Sequence, residues 1–442
     1  MAGMAATLTA RRDSPRGRRV LAIAAALVGI VGLLGAAPAA GAGASVPTVT
    51  RVPVTPEFFG VQDDQVRPPD PAAWAAGRLW AAWCTIQPTR DVDVVAAAEE
   101  RLQPAFTTFA ESSTRRLTVS LGHPAPWVFD DHRAAARIKP KRVWYCDQSA
   151  AVTSFPKSVR FRTEPLGEEY ALYVRAVIRA ARPYLDADPR NRLVLQAWNE
   201  PNLRNGGTVH FKIPGAARTW RQAAASLRRQ ERIIWQVASV QIPGRFEVTS
   251  PALYGKPTHL GEAYLRAQAK SRTIDSVSIN FYTLRQRSVN KSLALWLSKA
   301  RTARRLVTRH PTLKYLPIWV TETNHNLVNG IPDDSNVTGR WAKPRVQKRL
   351  MEVTTMEALR LGFAGLQWYQ GAPTQTAVNT LPGSPAGDAA RVLRYALLGR
   401  MLLRCKTVKP VVTCSLSARP GDEPIQVRWS RLGKAGVEIL PT

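Results

Sequence analysis

Acidic residues are scarce in this chain. It carries 32 Asp and Glu against 62 Lys and Arg, for a formal charge of +30. Cysteine and histidine are scarcer still, with 4 and 6 in 442 residues. The six His are dispersed and no CxxC occurs, so zinc spacing is missing and no metal is expected. No Gly-rich phosphate loop follows the first strand-like run. That removes the best-known signature of a doubly wound nucleotide-binding sheet, and no cofactor is expected. Beyond the N-terminus no segment is long and apolar enough to span a bilayer. There is no internal repeat.

The N-terminus has the order of a signal peptide: positive, apolar, small. Arg11, Arg12, Arg16, Arg18 and Arg19 precede an apolar stretch, Val20 to Leu34, and small-residue cleavage candidates lie at 37–42. Arg18-Arg19 is a weak sign of twin-arginine export. The apolar stretch is short for a spanning helix, which needs about 20 residues. Residues 1–42 are therefore expected to be removed, leaving no stable membrane span and a product that is secreted or held at the cell envelope. Residues 1–44 hold +4 of the +30, so +26 remains on the rest. The basic residues are scattered, which speaks against nucleic acid. An exported basic protein is better matched to an anionic cell-envelope polymer or acidic polysaccharide, or simply carries a solvated Arg-rich surface. Four Cys in an exported chain suggest two disulfides. Cys405 and Cys414 are close enough for a local bridge, which leaves Cys84 with Cys146, although the sequence permits three pairings.

Apolar strand-like runs then alternate with amphipathic helical ones. Strands are expected at Phe58–Val61, Arg78–Trp83, Leu117–Leu121, Leu193–Ala197, Phe246–Thr249, Ser276–Asn280, Ile318–Thr321 and Gly365–Trp368. Helical spacing covers Glu168–Leu185, Arg218–Val240 and two later segments, the last ending at Gly362. Ala389–Cys405 reads as a final helix. Eight strands alternating with helices predict an α/β fold, a (β/α)8 TIM barrel over 50–405. Lys406–Thr442 reads as a short β appendage packed on it, too small to stand alone.

The chemistry-bearing residues fall at the C-terminal ends of those strands, the face on which barrel active sites lie. The fourth run, "RLVLQAWNEP", ends in Asn199 and Glu200; the seventh, "LPIWVTETN", ends in Glu322. The third leads into "GHPAPW", with His123 and Trp127; the sixth reaches Tyr282, and the eighth reaches Trp368. Two carboxylates on opposed strands suit hydrolysis of a glycosidic bond, one as proton donor and the other ionised. Trp127, Tyr282 and Trp368 would provide aromatic walls for sugar rings. Trp80 and Trp83 read as core, and Glu168 and Glu169 as partners of a helix N-terminus. Asn336 begins an N-x-T acceptor pattern.

With "WNEP" closing strand four and the Glu of "WVTET" closing strand seven, the sequence resembles clan A of the glycoside hydrolases, and "GHPAPW" is similar to the strand-three end of family 39 and related families. The resemblance implies a retaining (β/α)8 enzyme with Glu200 as acid/base and Glu322 as nucleophile. It also implies that Asn199 binds the sugar 2-hydroxyl, that Tyr282 orients the nucleophile, and that His123 and Trp127 lie near the sugar. The chain departs from the clan in two places. No clear counterpart of the strand-two Arg is evident, and strand six reads "NFY" in place of a His-containing motif. The expected activity is secreted O-glycosyl hydrolysis of a poly- or oligosaccharide. A transglycosylase would use the same residues. A noncatalytic glycan-binding protein, or one that grips anionic envelope polymers by charge, are the rivals from other classes.

Overall fold

The computed structural model describes residues 52–63, 70, 72–112, 114–122, 166–201, 220–254, 259–286, 288–327, 342–370, 378–433 and 436–441. The expected leader, Cys146 and Asn336 lie outside these residues.

The strands, numbered in chain order, are β1 (Phe59–Asp63), β2 (Ala76–Trp80), β3 (Arg116–Ser120), β4 (Arg192–Gln196), β5 (Phe246–Thr249), β6 (Leu253–Tyr254), β7 (Val277–Asn280), β8 (Thr283–Gln286), β9 (Ile318–Thr323), β10 (His325–Leu327) and β11 (Gly365–Gln370). β1 to β5, β7, β9 and β11 are all parallel to their neighbours, in the order β5-β4-β3-β2-β1-β11-β9-β7. The fifth strand closes the ring. β5 pairs with β4, while the short β6 beyond it pairs with β7, and bridges Asn199–Ala252 and Thr249–Ser276 join the two halves. The fold is a (β/α)8 barrel.

The helices are α1 (Trp83–Ile86), α2 (Val94–Ala110), α3 (Leu166–Ala180), α4 (Arg182–Ala187), α5 (Trp220–Gln241), α6 (His259–Lys270), α7 (Val289–Thr308), α8 (Pro344–Arg360) and α9 (Pro385–Leu397). Several begin where a side chain satisfies the first free backbone N–H groups. Asp93 accepts from Val95 N at 2.9 Å ahead of α2, and Ser384 accepts from Gly387 N at 3.0 Å ahead of α9. Glu168 and Glu169 stand in the first turn of α3, as their place in the sequence suggested.

The apolar core lies between strands and helices. Leu117, Val119, Leu193, Leu195, Val248 and Val320 are buried against residues such as Phe106, Val177, Ile234 and Leu350. The side chains of alternate strand positions point the other way, into the barrel, and there the lining is polar. Gln62, Arg78, Thr118, Gln196, Asn280 and Gln367 are all buried. At the N-terminal end of the barrel, Arg116 pairs with Glu247 and stacks on Trp319, its guanidinium 3.9 Å from the ring centroid. Trp319 has its place because its register partner is Gly365, where any Cβ would overlap the indole.

The C-terminal helix is shorter than its sequence pattern. α9 stops at Leu397, and Gly399 takes a positive φ of 76° that L residues disfavour. An antiparallel sheet follows, built from β12 (Leu402–Val408), β13 (Val411–Leu416), β14 (Ile425–Ser430) and β15 (Val437–Pro441). The appendage therefore begins inside the segment read as helix, ahead of Lys406. Cys405 and Cys414 face each other across β12 and β13 and form a disulfide. Cys84 is also in a disulfide. The sheet covers the outer side of α8. Glu357 on that helix accepts from Trp429 Nε1 at 3.0 Å, Arg431 Nε at 2.6 Å and Arg360 Nη2 at 2.6 Å, and Glu352 accepts from the backbone N of Val437 at 3.1 Å. The charged residues Glu352, Glu357 and Arg360 of that helix are buried.

Candidate active site

β4 ends in Gln196, and the chain continues through buried Trp198 to Asn199 and Glu200. The backbone N–H of Glu200 donates to Ala252 O at 2.8 Å, and Ala252 N donates back to Trp198 O at 3.0 Å. These bonds tie the end of β4 to β6. Glu200 itself has φ 47°, the one positive value at a non-glycine residue among those described. Backbone held in this region costs on the order of 1–3 kcal/mol and is concentrated at functional sites.

Glu322 comes from β9, and its side chain meets that of Glu200 over one residue of β7. Asn280 Nδ2 lies 3.1 Å from Glu200 Oε1, 3.0 Å from Glu322 Oε2 and 3.0 Å from Asn199 Oδ1. Two bonds to one nitrogen keep those two carboxylate oxygens within about 6 Å of each other. Arg78 supports the same group from β2. Its Nη1 donates to Glu322 Oε2 at 2.6 Å and to Gln62 Oε1 at 2.8 Å; its Nη2 donates to Asn199 Oδ1 at 2.6 Å and to Gln196 Oε1 at 2.9 Å. The Tyr282 hydroxyl donates to Glu322 Oε1, and the Tyr282 ring meets Tyr369 edge-on at 6.0 Å.

The two carboxylates sit in different electrostatic surroundings. Burial is the main cause that pushes Glu200 up to about 8; the negative charge of Glu322 adds to it, and the Asn280 hydrogen bond and Arg78 pull the other way. Glu322 has the buried Arg78 guanidinium in direct contact. Burial, then the two carboxylates, raise Tyr282 well above the ordinary phenol range, so it remains a donor. The site can thus keep the Glu200 carboxyl protonated near neutral pH, with a permanent cation in contact with the neighbouring Glu322.

Of the residues singled out in the sequence, Asn199, Glu200, Tyr282 and Glu322 are brought together. His123 and Trp127 lie outside the described residues. Trp368 is not brought to the site. It is 1% exposed, and its ring lies 6.0 Å from His325. His325 is bonded to Ser292 of α7 and Thr354 of α8, and burial pushes it down to about 3, which keeps it neutral. Side chains alternate along β11, so Tyr369, the register partner of Gln62, occupies the inward position instead. Trp80 also differs from expectation. It is only partly buried, and the Arg78 guanidinium lies 5.2 Å from its ring centroid.

The sequence reading passed over Arg78, Gln62, Gln196 and Asn280. Arg78 is an arginine on the second strand that reaches Glu322, where the sequence showed no clear candidate. Its signal was a lone charge within the apolar strand "AGRLW". Asn280 closes β7 two residues ahead of Tyr282, a polar ending to the buried run "VSIN". Among the described residues, no group of three or more His, Cys, Asp or Glu is placed to hold a metal ion, and no helix is long and apolar enough to cross a membrane.

No protein-family model matches the chain, and no curated protein matches it. Solved structures do. A 4-O-α-L-rhamnosyl-β-D-glucuronidase from Fusarium oxysporum 12S is 12% identical, with 87% of this chain and 78% of that one covered and a TM-score of 0.50. A family 39 glycoside hydrolase from Bacteroides cellulosilyticus WH2 is 14% identical over 85% and 71% of the two chains, with a TM-score of 0.49. A family 44 xyloglucanase from Paenibacillus polymyxa is 11% identical over 86% and 85%, also with a TM-score of 0.49. At these identities the likeness is one of fold.

Proposed function

We propose that this protein is an exported retaining glycoside hydrolase. The observation that carries the reading is the pair Glu200 and Glu322, joined to one amide at the C-terminal rim of the barrel and placed in opposite electrostatic surroundings. The shared nitrogen keeps the two bonded oxygens within about 6 Å, a spacing compatible with attack by Glu322 itself. The similarly folded Fusarium protein, a glucuronidase, agrees with a glycan substrate. The excess of basic residues suits an anionic polysaccharide or cell-envelope polymer.

In the first step a carboxylate oxygen of Glu322 attacks the anomeric carbon. The bond to the leaving oxygen breaks, and the Glu200 carboxyl gives that oxygen its proton. The product is an ester between Glu322 and the sugar. In the second step ionised Glu200 takes a proton from water, whose oxygen attacks the anomeric carbon and frees Glu322. Arg78 and Tyr282 hold Glu322 in place for attack. Asn199 receives Arg78 and Asn280 on Oδ1, so its Nδ2 is the group left to donate to a sugar hydroxyl.

The test is Glu322→Ala. Turnover of an activated aryl glycoside should be lost, and added azide should restore part of it as the glycosyl azide of opposite anomeric configuration. Hydrolysis at the unaltered rate would refute the assignment.

A further inference from the structure

Asn280 is a neutral residue at the centre of a charged site. Glu322 reaches it from β9, Glu200 and Asn199 from the end of β4, while Arg78 from β2 and Tyr282 from beyond β7 flank the same two carboxylates. The orientation of its amide is set. Thr321 Oγ1, 1% exposed as a residue, donates to Asn280 Oδ1 at 2.9 Å, which leaves the NH2 group turned toward the acids. An amide nitrogen has two N–H bonds, and three acceptors lie within 3.1 Å of this one, so Glu200, Glu322 and Asn199 Oδ1 share them.

We propose that Asn280 is the positioning residue that holds Glu200 and Glu322 at this spacing and keeps a donor on each as negative charge passes from one to the other. The inference rests on the glycosidase reading. In the first step Glu322 loses its charge on forming the ester while Glu200 gains one by giving up its proton; in the second the charges return. A shared NH2 meets both states without moving. Because an amide has no proton to lose in the working range, its donation does not change with pH, which a titratable side chain in its place would not guarantee. The opposing pull of this hydrogen bond on the acidity of Glu200 agrees with that role. Among the described residues, Glu322, Arg78, Tyr282 and Asn280 face Glu200, and of these four Asn280 is the one joined to both carboxylates by one atom.

The experiment follows the Glu200 carboxyl directly. Infrared difference spectra of the full chain, labelled with 13C-glutamate, are recorded against pH, and Glu200→Gln identifies the band. Asn280→Ala should raise the titration midpoint of Glu200 by about one pH unit, a tenfold gain in proton affinity. Thr321→Val, which keeps the shape and frees the amide to turn, should move it the same way by less, and serves if the Ala variant does not fold. The basic limb of kcat/KM for an aryl glycoside should move by the same amount. A Glu200 midpoint that stays in place in the folded variants overturns the proposal, even where their activity falls. If no glycoside is turned over at all, it is the glycosidase reading that fails, and the infrared midpoints still decide whether Asn280 governs Glu200.

Discussion

Glu200→Gln should make the protein more stable, and the gain should depend on pH. Glu200 is buried, and its carboxyl is pushed from 4.5 to about 8. Between these values the folded protein keeps a proton that the unfolded chain releases, so stability falls as pH rises across the window. Each unit is worth about 1.36 kcal/mol, which makes the ionisation of Glu200 cost on the order of 4 kcal/mol by pH 8 and close to nothing at pH 4.5. Gln copies the protonated carboxyl, still accepts from Asn280 and never ionises. The φ of 47° is the same for either side chain, so backbone strain adds no pH dependence. Glu231, buried on α5 and also pushed up, to about 7, gives both proteins the same background slope, which cancels in the difference. With an unfolding entropy of about 2.1 cal/mol/K per residue, 4 kcal/mol in a chain of this size is a Tm gain of roughly 4 °C. Thermal melts of the two proteins at pH 5 and pH 8 make the measurement. An equal difference at both pH values, or a Gln variant less stable at pH 8, would refute the electrostatic account of this site.

Arg78→Met should remove the cation from Glu322 and a donor from each of Gln62, Gln196 and Asn199, with a loss on the order of 3–5 kcal/mol in urea unfolding, because a buried charge is left unpaired. Aryl glycoside turnover should fall with it. Glu357→Ala should strand Arg360 and Arg431 between α8 and the C-terminal sheet, also at about 3–5 kcal/mol. Burial works against the charge on Glu357, but these arginines more than offset it and hold its carboxyl below the usual range. Limited proteolysis should then cut within 402–441 faster than in the unaltered protein.

Much of the frame can be read along the chain. The expected strands overlap β1 to β5, β7, β9 and β11, because a strand that packs helices on its outer face needs apolar side chains such as Leu193 and Leu195 whatever its neighbours are. The acids at the ends of β4 and β9 stand out for the same reason: each interrupts an apolar run. The barrel interior is harder to read. Arg78 and Asn280 look like surface residues by type, and only closure of the ring shows that they point inward at partners far away in sequence, such as Gln196 and Glu322. The last helix misled for another reason. Leu402 to Cys405 fit helical spacing, but Gly399 and the pairing of β12 with β13 draw them into a sheet.

By itself the sequence determined the eight barrel strands and the two carboxylates at the ends of two of them, since hydrophobic periodicity and local punctuation are properties of neighbouring residues. What only the tertiary structure decided is what surrounds those carboxylates. Which of Trp368 and Tyr369 turns inward depends on strand register. How far the Glu200 carboxyl is pushed up depends first on its burial and then on Glu322 beside it. That both acids share Asn280 depends on β4, β7 and β9 meeting at one rim. These are distances between residues remote in the chain, and no local pattern encodes them.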